Sequence, residues 1–264
     1  MIGIFDSGSG GLSVLREILR ILPKEKYVYY SDNANCPYGE KSVEFIRNRA
    51  REITRLLISK GAQIIVVACN TATAAAIAVL REEFPVKFIG MEPAVKPAAL
   101  SSKTGVIGVL ATAGTLKASR YLNIKEMFGD GTKIAEHVGE GFVELVENGI
   151  LDGPEAEETV RKSVLPLVAA GADRIVLGCT HYPFLRKVIE RVAGPGVQVI
   201  DPAPAVARHL AEVMKQEGLL DHEYAEVPAA AEIELIASGP ELPARRLLDT
   251  IISGHAGRQT ATKA

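Results

Sequence analysis

Residues 60–72 read KGAQIIVVACNTA, and 110 positions later residues 170–182 read AGADRIVLGCTHY. Each stretch carries a continuous run of Ile, Val or Leu, which is typical of a strand buried on both faces of a parallel sheet. Each run ends at a cysteine, Cys69 or Cys179, that is followed by polar residues. A chain with only three cysteines thus places two of them at equivalent points of a repeated pattern.

Two further pairs of segments repeat in the same order. GIFDSGSGGLSVL at residues 3–15 resembles GVLATAGTLKASR at residues 108–120, and MEPAV at residues 91–95 resembles IDPAP at residues 200–204. Self-similarity at a fixed period is the mark of repeated structural units. Three matches at offsets of 105 to 110 therefore predict a chain built from two related halves.

Strand-like and helix-like segments alternate along the first half. The pattern predicts strands over residues 1–5, 27–32, 63–69 and 86–92 and helices over residues 12–22, 42–59 and 70–84. Alternation of this kind indicates an α/β fold with an open, doubly wound sheet. Together with the repeat, it predicts two pseudosymmetric, mainly parallel-sheet domains that face each other across a cleft.

The repeated Pro-containing segments mark the expected crossings between the halves. We therefore expect a first domain formed by residues 1–95 together with residues 208–264, and a second domain formed by residues 96–207. The segment after Arg208 is too short for a third half, so it is expected to return to the first domain.

Composition excludes several classes of function. The 264 residues carry a net charge of −2 without a Lys/Arg-rich run, so nothing favours binding to nucleic acid or to an anionic membrane. The N-terminus lacks the basic region of a signal peptide, and three cysteines without a CxxC motif favour a reducing, cytoplasmic setting. Residues 61–80 contain no charge, but their polar residues fit a strand, a turn and a helix better than a membrane span.

Cys69 and Cys179 are expected to face each other across the cleft, because open α/β sheets bind ligands at the carboxyl ends of their strands. The residues that follow, Asn70-Thr71 and Thr180, are suited to cap a helix. A thiol at a helix N-terminus has its pKa lowered from about 8.5 toward neutrality, which favours a reactive thiolate. The alternatives are a small buried hydrophobic role for each cysteine, a disulfide between them, or a zinc site formed with His181, whose spacing matches no common zinc motif. Cys36 has no such context and is given no role.

The segment DSGSGG at residues 6–11 ends the first strand. It is not a dinucleotide-binding loop, because Ser13 stands where the third glycine is required, and it lacks the Gly-x-Ser-x-Gly elbow of a serine nucleophile. We expect Asp6 and Ser7 at the strand end, followed by backbone N–H groups able to bind a carboxylate. The alternative for Asp6 is a structural role as the cap of the helix that starts near Leu12. His181 lies two residues from Cys179 and is suited to be its proton-transfer or electrostatic partner, the alternative being a structural histidine.

These motifs resemble one family. FDSGSGGLSV, NCPYG, ACNTATA, ATAGT, LVENG and GCTHYP, in this order, are similar to the motifs of glutamate racemases in the aspartate/glutamate racemase family, over residues 2 to about 207. The resemblance implies a cofactor-independent racemase with two catalytic bases and no metal, which supplies D-glutamate for peptidoglycan. It implies glutamate as the small-molecule partner, with no nucleic acid and no membrane, and it leaves a homodimer open.

The resemblance also implies roles for individual residues. Cys69 would take the α-proton from D-glutamate with help from Asp6, and Cys179 would take it from L-glutamate with help from His181. The residues implied to hold the substrate are Asp6, Ser7, Tyr38, Gly39, Asn70, Thr71, Thr180 and His181; Thr112, Thr115 and Glu147 lie in motifs that often reach the same cleft. A racemase for aspartate or a hydantoin, or a ligand-binding or zinc-binding module without turnover, remain the alternatives.

Overall fold

The chain folds into two parallel β-sheets flanked by helices. The computed structural model describes residues 1–92, 94–118, 121–123, 126, 131–220 and 231–261, with the backbone alone at 254–261. The strands are β1 (Ile2–Asp6), β2 (Lys26–Ser31), β3 (Ile64–Val67), β4 (Lys87–Gly90), β5 (Val106–Ala111), β6 (Lys133–Val138), β7 (Arg174–Gly178), β8 (Gln198–Ile200) and β9 (Glu232–Ala237).

Helices connect the strands and cover the sheets. They are α1 (Leu12–Ile21), α2 (Val43–Ser59), α3 (Asn70–Glu83), α4 (Val95–Ser101), α5 (Ala113–Leu116), α6 (Phe142–Glu147), α7 (Pro154–Ala169), α8 (Arg186–Ala193), α9 (Ala203–Gln216) and α10 (Leu242–Ala261). The seven elements predicted for the first half are all present, and their boundaries differ from the prediction by at most two residues.

The four strands of the second sheet follow the same order as four of the five strands of the first sheet, with β8, β7, β5 and β6 corresponding to β4, β3, β1 and β2. This shared order confirms the internal repeat. The first sheet runs β4-β3-β1-β2-β9, and the second runs β8-β7-β5-β6. Ile2 pairs with Ile64 in the first sheet, and Ile107 pairs with Arg174 in the second. Ile107 lies 105 positions after Ile2 and Arg174 lies 110 after Ile64, so the sequence offsets reappear in the strand register.

Apolar side chains on both faces of the central strands are buried. Ile4 and Val66 belong to a core that also contains residues of the second sheet, whereas Phe5 and Val67 belong to a core formed with α2 and α3. This burial explains the unbroken Ile/Val runs of the sequence, because both faces of a sheet between helices exclude water.

The last strand, β9, pairs in parallel with β2 at the edge of the first sheet. We propose the domain division stated above, with residues 1–95 and 208–264 in the first domain and residues 96–207 in the second. The second boundary falls within α9, so this helix would be shared between the two domains.

The uncharged stretch at residues 61–80 forms β3 and the first part of α3, as predicted. In the part of the chain that the structure describes, no helix combines the length and the apolar character needed to span a bilayer.

The shared core predicts unequal effects for two leucine-to-alanine substitutions. Leu177 on β7 is fully buried, whereas Leu165 on α7 is 42% exposed. Leu177→Ala should lower the free energy of unfolding by about 2–5 kcal/mol, because it leaves a cavity, and Leu165→Ala by no more than about 0.5 kcal/mol. Urea denaturation followed by circular dichroism measures both, and similar losses for the two variants would contradict this account of the core.

Candidate active site

One pocket lies where the carboxyl ends of the two sheets meet. The pocket is narrow, with a cavity volume of about 10 Å³, and it is lined by residues that follow strands of both sheets. Nine of the ten predicted site residues line it, among them Cys69 from the first half and Cys179 from the second. The tenth, Asp6, is fully buried at the end of β1, next to the lining residue Ser7.

Cys69 lies at the N-terminus of α3, as the sequence predicted, but Cys69 itself is the N-cap residue, so the prediction that Asn70 or Thr71 caps the helix is wrong. Its sulfur accepts a hydrogen bond from the backbone N–H of Ala72 at 3.4 Å and lies 3.7 Å from the hydroxyl of Ser7. The predicted lowering of its pKa is wrong, however. Burial and the neighbouring Asp6 raise the pKa of the Cys69 thiol well above its ordinary value, despite these hydrogen bonds. Cys69 is therefore a thiol at neutral pH in this structure.

Cys179 differs from Cys69 in its local structure, and the prediction that it starts a helix is wrong. The chain turns after β7 and forms a short 3-10 segment at Tyr182–Leu185 before α8 begins at Arg186. The sulfur of Cys179 lies 3.8 Å from Nδ1 of His181. The partner of this thiol is therefore an imidazole rather than the free N–H groups of a helix.

His181 lies between a thiol and a carboxylate. Its Nε2 is 2.7 Å from Oε1 of Glu147. The same oxygen accepts a hydrogen bond from the backbone N–H of Ser9 at 2.6 Å, and the other carboxylate oxygen, Oε2, accepts one from the Ser9 hydroxyl at 2.9 Å. Burial alone would lower the pKa of His181, but its contacts with Cys179, Cys36 and Glu147 raise it well above the ordinary value. Burial would likewise raise the pKa of Glu147, but His181 and Ser9 hold it below its usual value. The pair is therefore an imidazolium and a carboxylate.

The DSGSGG turn binds carboxylates of the chain itself. The N–H of Gly11 donates to Asp6 at 2.9 Å, and the N–H of Ser9 donates to Glu147. The N–H of Gly8 also donates to Asp6, at 3.4 Å, so the expectation that these groups are free to bind a carboxylate ligand is wrong for three of them. Glycine is needed at residue 10 because a β-carbon there would lie 2.3 Å from Nδ1 of His181.

Asp6 has an unusual electrostatic environment. Its side chain is fully buried, and burial raises its pKa above the ordinary value, although His181 and the Gly11 N–H act in the opposite direction. The hydroxyl of Thr180 approaches Oδ1 of Asp6 at 3.5 Å, and the Cys69 thiol is a further hydrogen-bonding neighbour. Asp6 therefore connects the surroundings of Cys69 with the turn that carries Cys179.

Polar groups on the pocket wall are available to a ligand. Both polar atoms of the Asn70 side-chain amide are buried and have no hydrogen-bond partner among the described residues. Such groups are rare in folded proteins unless a ligand or water satisfies them. The hydroxyls of Thr71, Thr112 and Thr115 lie 3.0–3.2 Å from one another and join α3 to the start of α5.

A buried ion pair that the sequence analysis missed supports Tyr38. Arg49 on α2 donates to both carboxylate oxygens of Asp32, at 3.0 and 2.8 Å, and the Tyr38 hydroxyl donates to the same carboxylate at 2.5 Å. Burial would raise the pKa of Asp32, but Arg49 and Tyr38 keep it below its ordinary value. The Tyr38 hydroxyl is thus occupied, and its ring and the backbone of Gly39 form the wall.

The sequence suggested a possible zinc site formed by Cys69, Cys179 and His181. The structure instead brings a different set of potential metal ligands together. Among the described residues, the side chains close enough to share an ion are Cys36, Glu147 and His181. Cys36 therefore lies near the site, although its sequence context gave no indication of this.

The site combines two thiols, one from each half, with a carboxyl group beside one and an imidazole beside the other. This arrangement defines an enzyme that carries out acid–base chemistry on a small molecule. The chain belongs to the Asp/Glu/Hydantoin racemase family, whose model matches residues 2–210.

Individual relatives cover nearly the whole chain. A glutamate racemase of Methylococcus capsulatus is 47% identical over 254 residues, which are 96% of this chain and 92% of the relative. The crystal structure of a glutamate racemase isoform of Bacillus anthracis superposes with a TM-score of 0.83 at 33% identity, covering 95% of this chain and 92% of that one. The Escherichia coli glutamate racemase, solved with L-glutamate and the activator UDP-MurNAc-ala, gives 0.82 at 32% identity, covering 95% and 94%.

The raised pKa of His181 predicts a pH-dependent contribution to stability. A histidine whose pKa is higher in the folded than in the unfolded state stabilises the folded protein. This stabilisation is fully present at pH values below the unfolded-state pKa of about 6.5, and it is lost as the pH rises through the folded-state pKa. His181→Asn should therefore lower the free energy of unfolding by about 1.5–3 kcal/mol at pH 6, because a charge-assisted hydrogen bond is lost, and by less at pH 9.

Urea denaturation over this pH range measures the effect. His209→Asn, at an exposed position of α9, is the matched control and should cost little throughout. A loss for His181→Asn that stays constant or grows toward pH 9 would contradict the imidazolium assignment.

Proposed function

We propose that this protein is a glutamate racemase that interconverts L-glutamate and D-glutamate without a cofactor. The observation that carries the proposal is the single pocket that receives Cys69 from one half and Cys179 from the other. Relatives named glutamate racemase, which match the chain over more than 90% of both lengths, support glutamate as the substrate.

Inversion at Cα requires a base on one face of the carbon and an acid on the other. In the proposed reaction, Cys69 removes the α-proton from D-glutamate and Cys179 removes it from L-glutamate, and in each direction the opposite sulfur returns a proton. At each turnover one sulfur is a thiolate and the other a thiol. The raised pKa of Cys69 suits the thiol form, which in this scheme returns the proton when L-glutamate is converted.

Each sulfur has a different helper in this proposal. Asp6, buried beside Cys69 with a raised pKa, is able to exchange a proton with that thiol. His181 is held by Glu147 and faces the sulfur of Cys179, so its Nδ1–H is able to stabilise the thiolate that takes the proton from L-glutamate. Glu147 thereby acts through His181 as a positioning residue.

The substrate would be held by polar groups of both halves. We assign this role to Ser7, Tyr38, Gly39, Asn70, Thr71 and Thr180, together with Asp6 and His181. The unpaired amide of Asn70 offers both a donor and an acceptor to an amino acid. As the α-proton leaves, negative charge moves into the substrate carboxylate, where hydroxyl, amide and backbone donors stabilise it. Thr112 and Thr115 join this set through their hydrogen bonds to Thr71.

The proposed cellular role is the supply of D-glutamate for peptidoglycan, in the cytoplasm. A homodimer is the assembly that we propose to test, by light scattering of the purified protein. A monomer at every concentration would exclude the dimer without affecting the proposed reaction.

Activity and its dependence on the cysteines test the proposal together. Purified protein incubated with L-glutamate, without added cofactor, should lose circular dichroism signal until equal amounts of both enantiomers are present, whereas L-aspartate should not change. Cys69→Ser and Cys179→Ser should each abolish racemisation, because a hydroxyl is far too weak an acid and base to replace a thiol. Cys36→Ser is the matched control and should keep most of the activity. An essential Cys36, or an active Cys69→Ser variant, would refute the assignment.

The fate of the α-hydrogen tests the two-base mechanism. In D₂O, a thiol exposed between turnovers exchanges its hydrogen with solvent, so the product enantiomer should carry deuterium at Cα from its first appearance. The unreacted substrate should stay largely protiated at low conversion. Mass spectrometry of the separated enantiomers measures both. Early product that retains the substrate's own hydrogen would indicate a single base and would exclude the two-cysteine mechanism.

A further inference from the structure

Cys36, Glu147 and His181 form a cluster beside the two catalytic thiols. One potential ligand atom from each residue, a sulfur, a carboxylate oxygen and an imidazole nitrogen, lies within 4.8 Å of the other two. His181 is buried, and the other two are partly buried. The three come from distant parts of the chain: Cys36 follows β2, Glu147 ends α6, and His181 follows β7.

We propose that Cys36, Glu147 and His181 form an inhibitory binding site for a thiophilic divalent cation, with Zn²⁺ as the preferred ion. Thiolate, imidazole and carboxylate are the three ligand types that zinc uses in proteins. Three protein ligands leave the fourth tetrahedral position for a water molecule or for a group of a bound amino acid.

The three ligand atoms lie close to the separations that a zinc ion requires. Zinc bonds of about 2.0–2.3 Å separate tetrahedral ligand atoms by roughly 3.3–3.8 Å. The three ligand atoms lie within 4.8 Å of one another, and the contact between Glu147 and His181, at 2.7 Å, is shorter than this range. The Cys36 and Glu147 side chains would therefore have to shift relative to His181 when the ion binds. The ion displaces the thiol proton of Cys36 and the proton between His181 and Glu147, and both protons leave to solvent.

Binding of the ion would remove the groups that catalysis needs. A metal-bound His181 would lose its 2.7 Å contact with Glu147, which holds its ring beside the sulfur of Cys179, so it would no longer be placed to assist that sulfur. This inhibitory effect rests on the proposed function, whereas the binding of the ion does not.

Cobalt(II) is the probe that separates this site from the catalytic thiols, because a cobalt–thiolate bond gives a charge-transfer absorption band. The purified enzyme should bind one equivalent of Co²⁺ with this band and lose racemase activity, and a chelator should restore the activity. Cys69→Ser and Cys179→Ser, although inactive, should keep the band. Cys36→Ser should lose the band, and the Zn²⁺ concentration needed to inhibit this variant should rise by at least about tenfold. Changes to residues outside the ligand set already weaken metal binding by about this factor.

Further variants keep the test independent of folding and of activity. Glu147→Gln, which retains all three thiols, should weaken cobalt binding, and thermal unfolding by circular dichroism shows whether each variant is folded. A band that persists in Cys36→Ser, or that disappears in Cys69→Ser or Cys179→Ser, would overturn the proposal in favour of metal binding by the catalytic thiols. The absence of a band in folded wild-type protein with excess Co²⁺ would overturn it as well. If the protein does not racemise glutamate, the absorption experiment still decides whether the cation site exists.

Discussion

The carboxylate of Glu147 is the point on which the arrangement of the site depends. It lies at the end of α6 in the second half, yet it accepts two hydrogen bonds from Ser9 in the first half and binds His181 at the same time. These contacts fit only because residues 8 and 10 lack side chains: a β-carbon at Gly8 would lie 2.3 Å from Glu147, and one at Gly10 would meet His181. The glycine-rich turn that follows β1 therefore serves to let the second half approach, which fixes the distance between the two sheet ends and hence the width of the pocket.

The internal repeat places the two thiols symmetrically, but the neighbouring side chains break that symmetry. Cys69 caps a 14-residue helix and faces a carboxyl group, whereas Cys179 lies in a turn and faces an imidazole. Two acid–base groups with identical surroundings would favour the same protonation state, while a reaction that needs one protonated and one deprotonated sulfur benefits from unequal surroundings. The residues next to the two repeated cysteines differ, and this gives the two sulfurs the unequal surroundings that an exact repeat could not provide.

The fold and much of the pocket were predictable because both follow from local patterns. Unbroken apolar runs predict buried parallel strands, and the carboxyl ends of such strands meet at one edge, so Cys69, Cys179, Asp6 and Ser7 could be brought together from sequence alone. Contacts between distant segments were not predictable: nothing near Glu147 in the sequence indicates that its partner is Ser9, and nothing near Asp32 indicates Arg49. The pKa of Cys69 was predicted in the wrong direction because its place at a helix N-terminus was visible in the sequence, whereas the extent of its burial was not.

The late addition of β9 to the first sheet has a consequence for how the protein is made. The edge of β2 is synthesised by residue 31, but its partner strand ends only at residue 237. At about 5–20 residues per second, about 200 further residues take roughly 10–40 s to translate, and during this time the edge of β2 lacks its pairing partner. The strands β5 to β8 are complete by residue 200, so the second sheet finishes before the first. An unpaired strand edge invites association with other chains. The nascent protein therefore exposes this edge of its earliest-made sheet to misassembly until β9 leaves the ribosome.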